Sequence, residues 1–201
     1  MQTSIYETIK KTLGSRTPKQ IQNQNSDSVH AAVLIPLFRG SGEYKILFTK
    51  RSTQVKTHKG QISFPGGVVE EADQSFQETA LREAHEEIGL LKEDVEILGQ
   101  ADDTTTVVSN FIVHSFVGVI PYPYDFTISY DEVDRIIEVP FKVFLENDPQ
   151  HRQNSAEFEG VIYPGSAFKY KEDVIWGATA RILENLVGIL EGKLDLRGNE
   201  E

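Results

Sequence analysis

The sequence predicts an α/β domain, because segments with a strand pattern lie on both sides of one strongly acidic helix and an amphipathic helix ends the series. The chain has 201 residues, of which 39% are hydrophobic and 25% are charged. This length and composition suit one globular domain with a sizeable core. The strand patterns fall at residues 29–38, 44–49, 95–100, 111–120 and 136–140, and the two helices lie between Ser75 and Gly89 and at 176–190.

The two ends of the chain differ from this central pattern. Ile5, Ile9 and Leu13 recur at helical spacing and predict a short amphipathic helix, and residues 15–28 are polar and predict a connector. Residues 157–174 are rich in Gly and Tyr and predict a closing hairpin. The predicted organisation is an N-terminal helix and polar connector at 1–28, the main domain at 29–192 and a polar C-terminal tail at 193–201.

The charge and composition exclude several classes of protein. A formal net charge of −11 argues against general binding to nucleic acid or to an anionic membrane, since both rely on an excess of Lys and Arg. The chain has no cysteine, which excludes a disulfide framework, a thiolate nucleophile and a Cys-ligated zinc site. The first 16 residues contain no continuous apolar run of the kind a signal peptide has, and no later run reaches the length of a membrane span. We therefore expect a soluble cytoplasmic protein.

The acidic helix has a sequence signal at each end. Ser75 followed by Glu78 has the spacing of a capping box, in which side-chain oxygens accept hydrogen bonds from free amides at the helix start. Gly89 stands where a residue with a left-handed backbone closes a helix. Between these signals, small or aliphatic residues share one face at a 3.6-residue period, and we expect this face to pack on the core. The residues on this face are Ala80, Leu81, Ala84 and Ile88.

Three glutamates, Glu83, Glu86 and Glu87, lie beside that apolar face. Like charges four positions apart destabilise a helix by roughly 0.2–0.5 kcal/mol per pair, so the cluster calls for a cationic partner. Mg²⁺ and Mn²⁺ prefer carboxylate and carbonyl oxygens, and a turn at Gly66 and Gly67 could supply a carbonyl. A solvated acidic face is the alternative, which the position beside the core disfavours. The pattern therefore predicts a site for a divalent cation.

A basic loop precedes this glycine turn. Lys50, Arg51, Lys56 and Lys59 lie in a stretch without an acid, although acids outnumber bases 31 to 20 in the whole chain. A solvated surface loop is one interpretation. The other follows from position, because a loop that leads into the turn before the acidic helix would bring cations beside the metal. A metal and adjoining cations suit a substrate that carries several phosphates.

The acidic helix resembles the Nudix box, whose usual form is Gly, five residues, Glu, seven residues and then R-E-U-x-E-E-x-G-U, with U an aliphatic residue. Residues 82–90, REAHEEIGL, match the last part at every fixed position, with Ala84 at the first U. Upstream, Asp73 follows Gly67 after five residues but is separated from Arg82 by eight, and Gln74 occupies the usual Glu position. An expansion of this kind with Asp is the form seen in the coenzyme A pyrophosphatase branch of the family.

The basic loop is similar to a second motif of that branch, roughly L-L-T-x-R-S-x-x-L-R-x-H-x-G-Q-I-x-F-P-G-G. Val55 and Lys56 replace its Leu-Arg pair, which keeps a cation but removes a guanidinium that can grip phosphate with two prongs. Residues 106–120 and the last helix are also similar to this branch, so the resemblance covers about residues 29–190. The matching positions are Arg51, Ser52, His58, Gly60, Gln61, Ile62, Phe64, Pro65, Gly66 and Gly67.

The resemblance implies both a fold and a reaction. The fold is the Nudix-type α/β/α sandwich with a mixed β-sheet. The reaction is hydrolysis of the diphosphate in coenzyme A or acyl-CoA, with Mg²⁺ or Mn²⁺, to 3',5'-ADP and 4'-phosphopantetheine or its acyl form. A homodimer is a candidate assembly, because dimers are common among relatives.

The resemblance also implies roles for individual residues. Glu83, Glu86 and Glu87, with a carbonyl of Gly66 or Gly67, are the expected metal ligands. Glu83 is catalytic through the metal, and Glu86 or Glu132 is expected to take a proton from water. The expected substrate contacts are Arg51, Lys56, His58, Lys59, Gln61 and Phe64.

Some interpretations stay open at this point. Glu132 fits a surface acid as well as a catalytic one, and His58 fits a structural histidine as well as a substrate contact. The aromatic residues of the loop at 121–126 suit either stacking on a base or a lid over the core. Another nucleoside diphosphate derivative, such as ADP-ribose or NADH, is an alternative substrate. A non-catalytic nucleotide sensor is the alternative from another class.

Overall fold

The computed structural model describes residues 4–21, 28–55, 58–106, 110–146 and 148–194. The α-helices within these ranges are α1 (Ile5–Gly14), α2 (Phe76–Ile88), α3 (Lys142–Leu145) and α4 (Gly177–Leu190), and a 3₁₀ turn covers Lys92–Asp94. The first strands are β1 (Val29–Gly40), β2 (Glu43–Arg51), β3 (Ile62–Ser63), β4 (Gly66–Val68), β5 (Glu96–Gln100) and β6 (Thr104–Thr105). The later strands are β7 (Phe111–Val119), β8 (Val133–Pro140), β9 (Arg152–Phe158), β10 (Val161–Tyr170) and β11 (Asp173–Ile175).

The larger sheet is mixed, as the sequence predicts. Its path is β3-β2-β1-β7-β5, with β4 paired to β1, β6 to β7 and β8 to β2. Strands β1 and β7 run parallel, and β1 and β2 pair antiparallel. Strands β9, β10 and β11 form a separate antiparallel sheet, which contains the predicted closing hairpin.

Helices cover both faces of the larger sheet. Alternate residues of β1 point to opposite faces, so Leu34 joins a cluster with Ala84 of α2, while Ile35 joins a cluster with Leu183 of α4. The result is an α/β/α sandwich, which confirms the predicted fold class. No helix within the described ranges has the length and apolar character needed to cross a membrane.

Helix α1 packs into the same core as α4. Its residues Ile5, Ile9 and Leu13 are buried in that cluster. The connector after α1 is held by two adjacent acids, since Asp102 pairs with Arg16 and Asp103 accepts a hydrogen bond from the Ile21 amide at 3.0 Å. Residues 4–21 therefore share the core of the main domain.

Strands β3 and β4 pair with β2 and β1, respectively, and these pairings fix the position of the glycine turn. Strand β4 pairs with the first half of β1, and the Leu34 amide donates to the Pro65 carbonyl at 2.9 Å. A Cβ at Gly66 would lie 2.4 Å from the Ala32 carbonyl oxygen and 2.7 Å from the Val33 Cα. Glycine is required here because two backbones approach each other closely.

The loop after β7 closes the C-terminal end of α2. Gly89 has the predicted left-handed backbone, with φ 69°, and its amide donates to the His85 carbonyl at 2.8 Å. The Thr127 and Ser129 amides donate to the last carbonyls of α2, those of Ile88 and Glu87, both at 3.0 Å. This loop is therefore fastened to the acidic helix.

The aromatic residues of the same loop pack on the core. Tyr122 stacks on Phe38 with centroids 4.8 Å apart, and Tyr124 lies 4.9 Å from Phe126. The Tyr124 hydroxyl donates to Asp94 at 2.9 Å. These contacts favour the lid over the stacking interpretation.

Candidate active site

The start of α2 is anchored as the capping pattern predicts. The Glu78 amide donates to the Ser75 hydroxyl at 3.1 Å, and the Glu78 carboxylate accepts a hydrogen bond from the Gln74 amide at 2.8 Å. With its other end closed by Gly89, the helix holds its acidic residues in a defined direction.

Glu87 is a buried acid that is only partly paired. It is 2% exposed, and its Oε1 lies 3.8 Å from Nη1 of Arg51. Its Oε2 has no hydrogen-bond partner within the described part of the chain. Burial raises the pKa of Glu87 to about 8, and the charges of Glu83 and Glu132 add to the rise, against the lowering by Arg51 and a hydrogen bond from Gly66. The site is thus short of positive charge.

Glu83 lies directly over the glycine turn. A Cβ at Gly67 would be 2.4 Å from the Glu83 carboxylate, so glycine is needed there to let the acid approach the turn. Burial also raises the pKa of Glu83, and its ion pair with Arg82 at 2.9 Å opposes that rise. Glu83 and Glu87, which we call the carboxylate pair, share the face of α2 next to the turn.

Asp73 forms a bidentate ion pair with Arg82. Its carboxylate accepts two hydrogen bonds from the Arg82 guanidinium, from Nε at 3.0 Å and from Nη2 at 3.1 Å. The Thr79 hydroxyl and the Glu70 amide also donate to it, at 2.8 and 2.9 Å. The hydrogen bonds from Arg82 lower the pKa of Asp73 to about 2. Asp73 is therefore the acid that pairs with Arg82 in this chain. Gln74, which occupies the usual Glu position of the motif, is exposed.

Arg82 then joins the turn to the helix. Its Nη2 donates to the Val68 carbonyl at 3.1 Å, and its Nη1 contacts Glu83 at 2.9 Å and Glu86 at 3.0 Å. The pKa of Arg82 is raised, chiefly by Asp73. The sequence did not predict this role for Asp73, although its position after Gly67 and five intervening residues was the available signal.

Glu86 is much more exposed than the carboxylate pair. Its side chain is 53% exposed and bound to Arg82. In the described ranges, no three His, Cys, Asp or Glu side chains are arranged to hold an ion together. Here the Glu86 carboxylate is bound to Arg82, and its expected role as a metal ligand stays a prediction.

Glu132 lies beside the carboxylate pair, although it comes from a distant part of the sequence. Its carbonyl accepts a hydrogen bond from the Ser52 amide at 2.8 Å, which joins its turn to the end of β2. Its charge raises the pKa of both Glu83 and Glu87. The side chain is exposed. The structure thus brings this predicted residue to the site.

The basic loop reaches the site through Arg51. The Arg51 guanidinium faces Glu87, and its Nε is buried without a hydrogen-bond partner in the described ranges. The Arg51 amide donates to the Gln61 carbonyl at 2.9 Å, and the Gly60 amide donates to the Arg51 carbonyl at 3.1 Å. The loop is therefore closed at its base next to the acidic helix.

The other predicted loop contacts lie further out. His58 is exposed with φ 57°, and its Nδ1 lies 2.9 Å from Oε1 of Gln61, so these two residues pair with each other. Lys59 is exposed. Lys56 lies outside the described residues.

Phe64 requires a correction. The ring is 2% exposed and stacks on Phe48 with centroids 4.8 Å apart. It supports the turn from within the core and presents almost no surface to a ligand. The expected direct contact between Phe64 and substrate is therefore not compatible with its burial.

The donor set fits a divalent cation. The carboxylate pair has raised pKa values, and one of its oxygens has no partner in the described part of the chain. A hard cation prefers such oxygens and would supply the missing positive charge. The fold and this site together fit an α/β/α enzyme in which a divalent cation and an adjoining basic loop act on a substrate that carries phosphates.

Comparison with known proteins identifies the family. The chain belongs to the Nudix domain family, whose model matches residues 28–164. It is 33% identical over 169 residues to the uncharacterized Nudix hydrolase NudL of Photorhabdus laumondii, covering 84% of this chain and 87% of that protein. The same comparison with NudL of Enterobacter sp. strain 638 gives 36% identity, with 78% and 80% covered. Nudix hydrolases are pyrophosphohydrolases of nucleoside diphosphate derivatives and generally use ions such as Mg²⁺ or Mn²⁺.

A solved structure agrees on the fold. The crystal structure of a MutT/nudix family protein from Enterococcus faecalis matches with a TM-score of 0.58 and 16% identity, covering 94% of this chain and 70% of that one. At this identity the match supports the architecture alone.

Proposed function

We propose that the protein hydrolyses the diphosphate bond of coenzyme A or acyl-CoA, releasing 3',5'-ADP and 4'-phosphopantetheine or its acyl form. One observation carries the proposal: Arg51, in the loop that resembles the coenzyme A motif, lies 3.8 Å from Glu87 of the acidic helix. The two motifs thus meet in one site. The family accounts for the diphosphate chemistry, and the loop supports the choice of substrate.

Glu83 and Glu87, with a carbonyl of Gly66 or Gly67, are the residues that would hold Mg²⁺ or Mn²⁺. When bound, the ion supplies positive charge to the diphosphate and makes water more acidic. Asp73 holds Arg82, and Arg82 holds the turn and Glu83 in place. This support keeps Glu83 against Gly67, where the close approach leaves little room for movement.

Glu132 is the residue that we assign to accept the proton from the attacking water. It lies beside the carboxylate pair, whereas the Glu86 carboxylate already accepts a hydrogen bond from Arg82 at 3.0 Å. The water oxygen forms a bond to phosphorus, the proton passes to the Glu132 carboxylate, and the bridging P–O bond breaks on the opposite side. The negative charge leaves on the departing phosphate.

The basic loop would bind the remaining phosphates. Arg51 is the cation beside the carboxylate pair, and Lys56 and Lys59 would extend the positive charge outward to the 3'-phosphate that separates coenzyme A from ADP-ribose. A hydrogen bond to a charged group contributes roughly 1.5–3 kcal/mol, which corresponds to a tenfold preference or more. We assign His58 and Gln61, which hold each other, to shaping the loop around these cations.

A substrate panel tests the proposal. Coenzyme A, ADP-ribose, NADH and dinucleoside polyphosphates are compared with Mg²⁺ and with Mn²⁺, and products are identified by mass. We expect the highest kcat/KM for coenzyme A, with 3',5'-ADP as a product. A higher value for ADP-ribose would replace coenzyme A as the substrate and leave the diphosphate chemistry standing.

A further inference from the structure

The β9–β10 hairpin exposes a run of apolar residues. Val161, Ile162 and Tyr163 are 50%, 69% and 38% exposed. Three consecutive exposed apolar residues are unfavourable in water, and such surfaces commonly mark a binding site.

The strand register divides these residues between two faces. Val161 pairs with Phe158 and Tyr163 pairs with Ala156, whereas Ile162 pairs with Glu157. Because side chains alternate along a strand, Val161, Tyr163 and Phe158 share one face, and Ile162 lies on the other.

Trp176 completes the first face. Its ring centroid lies 4.4 Å from that of Tyr163 and 5.5 Å from that of Phe158. We call the surface formed by Phe158, Val161, Tyr163 and Trp176 the aromatic shelf. All four side chains are uncharged, so this surface suits an apolar ligand rather than a phosphate.

Asp173, a buried acid in the strand before Trp176, forms ion pairs that reach towards the site. Asp173 is 5% exposed, accepts hydrogen bonds from Arg135 at 2.8 and 2.9 Å and lies 3.5 Å from Lys50 Nζ. Asp173 begins β11, which ends at Ile175, and Trp176 follows directly in the chain. Lys50 is next to Arg51, which faces Glu87. The strand that leads into Trp176 therefore contacts the end of β2 at Lys50, the residue next to the one that faces Glu87.

We propose that the aromatic shelf binds the uncharged arm of the substrate, the pantetheine chain and the thioester-linked acyl chain. This inference rests on the proposed function and adds a subsite to it. Charge complementarity supports the choice of occupant: the cations of the basic loop suit the phosphates at one end of coenzyme A, and the uncharged shelf suits the other end. A long flexible arm can pass around the end of β2 from one to the other.

Trp176 gives a direct test, because it is the single tryptophan of the chain. The full-length protein is titrated in EDTA with S-octanoyl-4'-phosphopantetheine, which contains the arm but no nucleotide, and with 3',5'-ADP. We expect a saturable change in tryptophan emission with the first probe and none with the second. No change with the acyl probe, or an equal change with 3',5'-ADP, would overturn the proposal.

A pair of variants on one hairpin provides the kinetic test. Val161→Asp places a charge on the aromatic shelf, and Ile162→Asp places the same charge on the opposite face. We expect Val161→Asp to lower the ratio of kcat/KM for octanoyl-CoA to that for coenzyme A by about tenfold, since several methylene groups lose their apolar contact. Ile162→Asp is expected to preserve the ratio.

Equal ratios in both variants and the parent protein would refute the subsite. An equal loss of this ratio in both variants would also refute it. A smaller mass by light scattering in both variants would mean that the hairpin forms a contact between copies of the chain instead. The proposed function fails separately, through absence of coenzyme A cleavage in the substrate panel, because the EDTA titration needs no turnover.

Discussion

Two buried acids near the two ends of α2 show opposite behaviour. The side chain of Asp73 is 3% exposed and that of Glu87 is 2% exposed, yet the pKa of Asp73 is lowered to about 2 and that of Glu87 is raised to about 8. Asp73 receives both prongs of Arg82 and two further hydrogen bonds. Glu87 has Arg51 at 3.8 Å and an oxygen without a partner in the described ranges.

The difference teaches that burial alone does not decide the charge of an acid. Desolvation penalises both carboxylates, and the partners that each one keeps decide which form is stable. Asp73 has its hydrogen-bond partners without any ligand and therefore has a structural role. Glu87 keeps a carboxylate oxygen without a partner in the described ranges and fits a site where a cation supplies that partner. Four experiments can break or sharpen this comparison.

Replacing either member of the carboxylate pair should have the largest effect on turnover. Glu87→Gln and Glu83→Gln should each lower metal-dependent kcat/KM by about a thousandfold, because each removes a charge that would hold the ion. The melting temperature without metal should stay the same or rise, since the neutral form is already favoured at Glu87. Kinetics and thermal melting measure both. Near-normal turnover in the two variants would remove the mechanism.

The two glycines of the turn should separate function from stability. Gly67→Ala would push a Cβ into the Glu83 carboxylate, and a displacement of about 1 Å can reduce turnover roughly a hundredfold. Gly66→Ala would meet the backbone of β1 and should destabilise the fold by about 1–3 kcal/mol. Denaturant unfolding alongside kcat distinguishes them. An active Gly67→Ala enzyme would show that Glu83 need not lie against the turn.

Replacing Asp73 should lower the stability of the fold. Asp73→Asn leaves Arg82 without its fork partner and should lower the free energy of unfolding by about 2–3 kcal/mol. Gln74→Ala is the matched control, because this neighbouring side chain is exposed, and its effect should stay within about 0.5 kcal/mol. Urea unfolding measures both. Equal effects at the two positions would contradict the pairing of Asp73 with Arg82.

The two acids should also give opposite pH dependences. The lowered pKa of Asp73 means that its contribution is present above the unfolded pKa of about 4 and is lost as the pH falls towards 2. The raised pKa of Glu87 means that metal-free stability falls as the pH rises from about 4.5 through about 8.

Unfolding of the parent protein and of Glu87→Gln across this range measures the second effect. The advantage of the variant should grow with pH, to on the order of a few kcal/mol, and saturating Mg²⁺ should reduce it. An advantage that does not change with pH would mean that Glu87 keeps its charge without a metal.

Much of the fold is local enough to be predicted from sequence. The caps of α2 at Ser75 and Gly89 follow from backbone chemistry within a few residues, and the strands β1, β2, β5 and β7 lie within two residues of their predicted bounds. Strands β3 and β4 were not predicted, because their short segments are strands only through pairing with β2 and β1.

The candidate site was predicted less completely. Periodicity placed Glu83 and Glu87 beside the core, where they are found. It could not show that Arg82 binds Glu86 outward, that Phe64 turns into the core, or that the turn containing Glu132 is fastened to Ser52. These outcomes depend on contacts between residues far apart in the chain.

The sequence by itself determined the element types, the acidic helix and the residue types that suit a metal and phosphates, because propensity, capping and spacing act over short distances. Only the tertiary structure decided which acid is satisfied and which is left incomplete. That distinction depends on desolvation and on the donors that other segments bring within hydrogen-bond distance, and neither quantity exists until the chain has folded.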